Sequence, residues 1–336
     1  MKASRIGATV VAGLLALGLA GCGGSDDSDD TSGGGGGEET SEGGDYTIGV
    51  ANFTLGGPYF NGMDTAIRAQ AEDRGVEAIS TDANGDAAKL ASDVEDLISR
   101  GVDAVIISGG PLESAPAVLN SLSAAGIPVV LVDRQFQTGE YTSWLGPDNE
   151  RIGVQDGEFI AEYLPDGGKV GIIKGGPADN SIGLARTEGF TSVIGSNPAF
   201  EVVEAPDFGG WGSDGGLTVM ENLLASHPDM AAVFCENDAM CLGAQRAIEN
   251  AGLTDQIVLA GVDGQLEALE AIATGGNYVV TGLNSADEIG RLGLDRALDI
   301  LDGEDVEKDT VVDSPQITQD NAQEHIDRLN EITSGS

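Results

Sequence analysis

Asn237 and Asp238 stand between Cys235 and Cys241, in the stretch AVFCENDAMCLGAQRAI. Two thiols, an amide and two carboxylates so close together admit four chemistries. They are half a metal site, a redox pair, a nucleophile with an acid beside it, or the wall of a pocket for a polar molecule. A metal site lacks imidazole, because His227 and His325 are the only histidines and neither is nearby. The two cysteines either form a disulfide, if the corner brings their Cα atoms close enough, or pack as small buried groups. Further chemistry-bearing residues stand where short apolar runs end: Asp82 and Asn84, Asp133 and Arg134, and Asp263. A carboxylate or amide there can cap the helix that follows, and Asp238 reads as such a cap, with Asn237 pointing into the cleft beyond the strand ends. Arg134 has no such use at the mouth of the uncharged run IPVVLV.

Enzymatic readings lack parts. There is no G-x-S-x-G elbow, no H-E-x-x-H and no histidine at a strand end to act as a base. The segment NFTLGGPYF lacks the glycine spacing of a dinucleotide loop. Asp133 with Asp263 is the one plausible carboxylate pair, and Arg134 would hold Asp133 ionised rather than as an acid. The expectation is a binding protein without enzymatic activity, cofactor or metal.

The elements that position these residues alternate. YTIGVAN (46–52) reads as a strand, FNGMDTAIRAQAEDRG as a helix ended by Gly75, and VEAISTDA as a strand. In AAKLASDVEDLISRG, Leu90, Val94, Leu97 and Ile98 share one helical face. The runs VDAVIISG and IPVVLVDR flank another helix; after a less regular stretch, YTSWLGPDNERIG, the pattern restarts with KVGIIKG. EVVEA, MAAVFCE, IVLAGVDG and NYVVTGL are further strands, separated by helical patterns, with a short strand near 309–312. Continuous apolar strands between helices imply parallel sheets covered on both faces. There are too many for one comfortable sheet, so the fold class is α/β, with two similar doubly wound domains. In such sheets ligands bind beyond the C-terminal strand ends, where the polar residues above stand.

The ends and composition bound the setting. MKASRIGATVVAGLLALGLAGC has a basic start, an apolar run and small residues at its exit, as a secretion signal does. Residues 1–21 are read as that signal, and Leu-Ala-Gly-Cys resembles a lipobox, which marks Cys22 for lipidation. Residues 22–45, rich in glycine, serine and acids, form a tether with nothing to bury. Across the 336 residues, 16 Lys plus Arg face 56 Asp plus Glu, a net charge of -40. That balance excludes a nucleic-acid partner and resembles the solvated acidic surface of a salt-tolerant protein.

The strand-end segments carry a family likeness. DAAKLASDVEDLISRGVDAVIISG, AAGIPVVLVDR, LARTEGF, GLTVMENLLASHPDMAAVFCENDAMCLGA and VLAGVDG, in this order, resemble the periplasmic sugar-binding proteins of the ribose/galactose type. These are type I solute receptors of bacterial ABC importers. The resemblance implies lobes of 46–148 plus 285–311 and of 149–284 plus 312–333. Hinge crossings are expected near Trp144–Asn149, Leu283–Ser285 and Asp309–Pro315. It implies ligand contacts at Tyr59, Phe60, Asp133, Arg134, Trp211, Asn237, Asp263 and the hinge amide Asn284. Gly57 stands where ribose receptors commonly carry asparagine. Leu184 stands where a ligand arginine is common, which leaves Arg186, two residues on, as the remaining candidate. The two departures point away from ribose. The implied protein is a monomer outside the cytoplasmic membrane, held by its lipid, that passes a neutral monosaccharide or polyol to an ABC permease. The alternative output is a chemosensory or quorum-signal receptor docked on a membrane sensor.

Overall fold

A computed structural model describes residues 46–110, 116–135, 139–177 and 182–334. The signal, Cys22 and the tether lie outside them.

The first half runs β1 (Thr47–Asn52), α1 (Pro58–Arg74), β2 (Glu77–Asp82), α2 (Ala87–Arg100), β3 (Ala104–Ser108), α3 (Pro116–Ala125), β4 (Val129–Val132) and β5 (Ser143–Pro147). Then come α4 (Asn149–Tyr163), β6 (Gly168–Ile173), α5 (Ile182–Ile194), β7 (Phe200–Glu204), α6 (Ser213–Ser226), β8 (Met230–Cys235), α7 (Asp238–Asn250), β9 (Val258–Asp263), α8 (Leu266–Ala273) and β10 (Tyr278–Leu283). The chain closes with α9 (Ala286–Leu301), β11 (Asp309–Val312), β12 (Gln316–Thr318) and α10 (Ala322–Ser334).

Two α/β domains result. One sheet has the order β11-β5-β4-β3-β1-β2, and the other β12-β10-β9-β8-β6-β7. Every pairing is parallel except β10 with β12. Local sequence explains most elements. In α2, Leu90, Val94 and Leu97 are buried, Asp86 accepts hydrogen bonds from the Ala88 and Lys89 N–H groups, and Gly101 ends the helix at φ 77°. All five residues of β3 are buried, as a strand covered on both faces requires. The chain leaves the first sheet after Pro147, returns after Leu283 to place α9 against α1, and crosses again between Val312 and Gln316.

Three elements differ from the sequence reading. The stretch read as irregular contains β5, a fully buried strand between β4 and β11. Gly146 and Pro147 look like turn residues locally, but Gly146 serves packing. A β-carbon there would come within 2.4 Å of the Trp144 ring and 2.7 Å of the Asp133 carbonyl oxygen. The C-terminal β12 and α10 were not read as elements. Their anchors, Ile317, Ala322 and Ile326, are buried in the second domain's core, against residues far back in the chain.

Candidate ligand-binding site

A cavity of about 510 Å³ opens where the strand ends of both sheets meet. All nine expected contacts line it: Tyr59, Phe60, Asp133, Arg134, Arg186, Trp211, Asn237, Asp263 and Asn284.

Asp133 follows β4 with φ 66°, a left-handed backbone that a non-glycine residue adopts at some cost. β5 holds it there. The Asp133 N–H donates to the Leu145 carbonyl at 2.9 Å, and the Trp144 indole N–H donates to the Asp133 carbonyl at 3.3 Å. Gly146 admits that indole. The Asp133 carboxylate accepts from the Tyr59 hydroxyl at 3.0 Å and from Asn284 Nδ2 at 3.1 Å. Burial and then the nearby carboxylate Asp133 push the Tyr59 phenol well above its ordinary pKa, so it stays a donor. Asn284 comes from the crossing after β10, which ties Asp133 to the hinge.

Asp263 ends β9 at φ 121° and pairs with Arg186, with a guanidinium-to-carboxylate distance of 3.3 Å. Burial pushes the Asp263 carboxyl up to about 7. Arg186 lowers it, and Asp238 and Asp133 raise it again. The ion pair is thus outweighed by lost hydration. Arg186 is itself fixed, donating to Asn149 Oδ1 at 2.8 Å and to the Glu236 carbonyl at 2.7 Å. The Glu236 carboxylate accepts from the Gly175 N–H at 2.6 Å and the Thr187 hydroxyl at 2.7 Å. Gly183 leaves room for it, since a β-carbon there would lie 2.5 Å from Glu236 Oε2. Leu184 is 48% exposed and does not line the cavity, whereas Arg186 does. Arg186, the remaining candidate, thus brings a guanidinium to the cavity from the same turn of α5. Gly57 lines the cavity, and a β-carbon there would meet nothing within 4 Å.

The β8–α7 corner also corrects the sequence reading. Asn237, not Asp238, caps α7, accepting the Met240 N–H at 3.0 Å, while its Nδ2 donates to the Trp211 carbonyl at 3.3 Å. Asp238 is fully buried and accepts from the Tyr278 hydroxyl at 2.6 Å, the Thr281 hydroxyl at 2.7 Å and the Gln265 N–H at 2.8 Å. Burial raises its carboxyl to about 6, with Tyr278, Thr281 and the Gln265 N–H lowering it in part. An asparagine cap and a following aspartate look alike in sequence, and only the contacts across to β10 and the start of α8 separate them. Cys235 and Cys241 form a disulfide with Cα atoms 5.5 Å apart. Both are buried in the core, and neither lines the cavity.

Aromatic rings cover the remaining walls. Trp211, at φ 60°, lays its indole over Gly175, where a β-carbon would fall 2.0 Å from the ring. Phe60 lies over Gly109 and meets Tyr59 edge to face at 5.2 Å. Phe53 and Gln265 also line the cavity and were not anticipated. The signal for both was position: Phe53 directly follows β1, and Gln265 stands two residues past Asp263. The assembly offers two carboxylates, two guanidinium groups, several amides and flat apolar rings. It can bind a molecule whose polar groups both donate and accept.

A family profile described as a periplasmic binding protein domain matches residues 48–305. The ribose import binding protein of Bacillus subtilis (strain 168) is 36% identical over 264 residues, covering 79% of this chain and 84% of that protein. A xylitol-binding protein of Mycolicibacterium smegmatis is 31% identical over 327 residues, covering 97% and 89%. Among solved structures, an ABC transporter solute binding protein from Mycobacterium smegmatis with bound glycerol superposes with a TM-score of 0.79. It is 34% identical and covers 84% of this chain and 97% of that one.

Proposed function

Since the chain belongs to the periplasmic sugar-binding family of ABC-transporter solute-binding proteins, we propose that it captures a neutral monosaccharide or polyol and hands it to a permease. Its relatives are binding proteins of transporters, not enzymes. The observation that carries the reading is the convergence of Asp133 and Asp263, one from each domain, on a single cavity. Each carboxylate has a guanidinium among its neighbours in the lining, Arg134 and Arg186, so the site balances its own charge and favours a neutral guest. Hydroxyls both donate and accept, which suits carboxylates, guanidinium groups and amides together. Trp211, Phe60 and Phe53 offer faces for C–H surfaces. The names of the relatives, ribose import and xylitol-binding, and a neighbour holding glycerol fit a polyhydroxylated guest.

Capture works by hinge closure between lobes 46–148 with 285–311 and 149–284 with 312–333. Asn284 is the hinge group that senses it, because it joins the crossing strand to Asp133. The guest bridges the lobes and shifts an open ensemble toward the closed form. The protein acts as a monomer outside the cytoplasmic membrane, anchored through a lipid on Cys22 with residues 22–45 as its tether. The sequence Leu-Ala-Gly-Cys after an apolar run supports that anchor. Calorimetry with pentoses, hexoses, inositols and linear polyols tests the solute class. Micromolar or tighter binding of a panel member is expected. Binding of an acidic, amine or peptide solute with the panel no better than millimolar would overturn it.

A further inference from the structure

We propose that Gln265 is a ligand-contacting residue that decides which hydroxyl pattern the cavity accepts, a refinement that rests on the sugar or polyol reading above. Its backbone is placed with care. Asp263 and Gly264 have φ of 121° and 75°, and a β-carbon at Gly264 would lie 2.6 Å from Leu283 Cδ1, so the chain turns sharply against β10. Gln265 then starts α8 in extended backbone, and its side chain makes no capping hydrogen bond. Its N–H is held by Asp238, which the Tyr278 and Thr281 hydroxyls hold in turn. Asp238 is thus a positioning residue for this wall.

The side chain is left uncommitted. Gln265 Nε2 is buried and has no hydrogen-bond partner among the described residues. Folded proteins seldom leave a buried amide donor unpaired, and such exceptions ask for an explanation. Asn284 Oδ1 is likewise buried and unpartnered, although the same side chain's Nδ2 is bound to Asp133. Both residues stand where the cavity meets a neighbouring crevice of about 400 Å³, beside Asp263, which lines both. An unpaired donor and an unpaired acceptor flank a carboxylate there. This set matches a vicinal diol: one hydroxyl donates to Asp263 or Asn284, and its neighbour accepts from Gln265 Nε2. Gln265 therefore reads the hydroxyl adjacent to the one that Asp263 takes.

The test is calorimetry on the full chain, with ribose, xylitol, glycerol, myo-inositol and monodeoxy analogues of the ribose and inositol as probes. The wild type is expected to bind at least one parent compound and to reject one of its deoxy analogues. Gln265→Leu should weaken the parent at least tenfold and erase that rejection, because a site built to pair a hydroxyl penalises its absence only while the pairing group remains. The thermal midpoint should stay or rise, since the substitution removes an unsatisfied donor. Gln265→Glu, similar in size but exchanging the donor for an acceptor, should also lose the preference and serves if leucine prevents folding. Variants that bind within twofold of wild type with unchanged hydroxyl preference overturn the role of Gln265 alone. A wild type that binds no member of the panel overturns the solute class and this proposal together.

Discussion

Asp133, Trp211 and Asp263 hold backbone angles of φ 66°, 60° and 121°, and all three line the cavity. Such conformations cost on the order of 1–3 kcal/mol each and persist where surrounding structure enforces them. For Asp133 the enforcement is the Trp144 indole N–H on its carbonyl and the Leu145 carbonyl on its N–H; for Asp263 it is the Arg186 pair and the Asn284 N–H on its carbonyl. Truncating one partner of a buried charge-assisted hydrogen bond costs about 2–5 kcal/mol, or roughly 30- to 5,000-fold in affinity. Asp133→Ala and Asp263→Ala are therefore expected to lose nearly all affinity for the solute while circular dichroism shows an intact fold. Arg186 keeps its bonds to Asn149 and the Glu236 carbonyl in the second variant. Affinity should also depend on pH. With the Asp263 carboxyl at about 7, the ionised acceptor is present above that value and is lost as pH falls through it. Titrations from pH 8 to 5.5 should show weakening binding, and Asp263→Asn should be weak and flat across the same range. The groups that face this carboxyl are Arg186, Asp238, Asp133 and Asn284.

At the scale of elements, the corner between β8 and α7 is stapled rather than reactive. The Cys235–Cys241 disulfide joins the end of a buried strand to the first turn of the helix that Asn237 caps. A loop of this length restricts the unfolded chain by about 2 kcal/mol on the chain-entropy account. Cys235→Ser with Cys241→Ser should lower unfolding stability by about that amount, read by denaturant titration. Affinity should stay within about tenfold, because the cap bond from Met240 and the Nδ2 bond to Trp211 remain. A folded double variant that has lost binding would show that the thiols' element carries more of the site than its packing indicates.

For the molecule as a whole, buried carboxyls tie stability to pH. Asp156, on α4, is fully buried, and among the described residues neither carboxylate oxygen has a hydrogen bond of good geometry. Burial pushes its carboxyl well above the ordinary range. The like charge of Asp238 adds to this, and Gln316, Arg186 and the Gly282 N–H offset only part. Asp238, at about 6, and Asp263, at about 7, shift the same way from 3.8. A carboxyl raised in the folded state binds its proton more tightly there than in the unfolded chain. Its contribution is fully present below the unfolded value and is lost as pH rises through the folded one. The thermal midpoint should therefore climb as pH falls from 7.5 toward 5. Asp156→Asn should raise the midpoint at pH 7.5 and flatten the climb, since it removes a charge that burial penalises. An unchanged midpoint at both pH values would mean that Asp156 is solvated in solution.

The sequence by itself determined the fold class and where the strand-end residues that line the cavity stand, because both depend on short-range pattern. Uninterrupted apolar runs such as AVIIS demand a strand buried on both faces, and Leu90, Val94 and Leu97 demand a helix lying on it. Strand ends follow from the same pattern, so Asp133, Asn237 and Asp263 were legible as candidates. Tertiary structure decided what neighbours far along the chain control. β5 is a strand because β4 and Asp309–Val312 pair with it, although Gly146 and Pro147 locally suggest a turn. Arg186 reaches the cavity and Leu184 faces solvent, a choice set by how α5 packs on α4 and Glu236. Asn237 takes the cap expected of Asp238 while still lining the cavity, because Tyr278 and Thr281, some forty residues on, claim the aspartate. The place of Gln265, two residues past Asp263, was legible, but its uncommitted side chain was not: an unpaired buried amide exists only relative to the groups that fail to reach it. Pattern is a property of neighbours in the chain, whereas pairing is a property of neighbours in space.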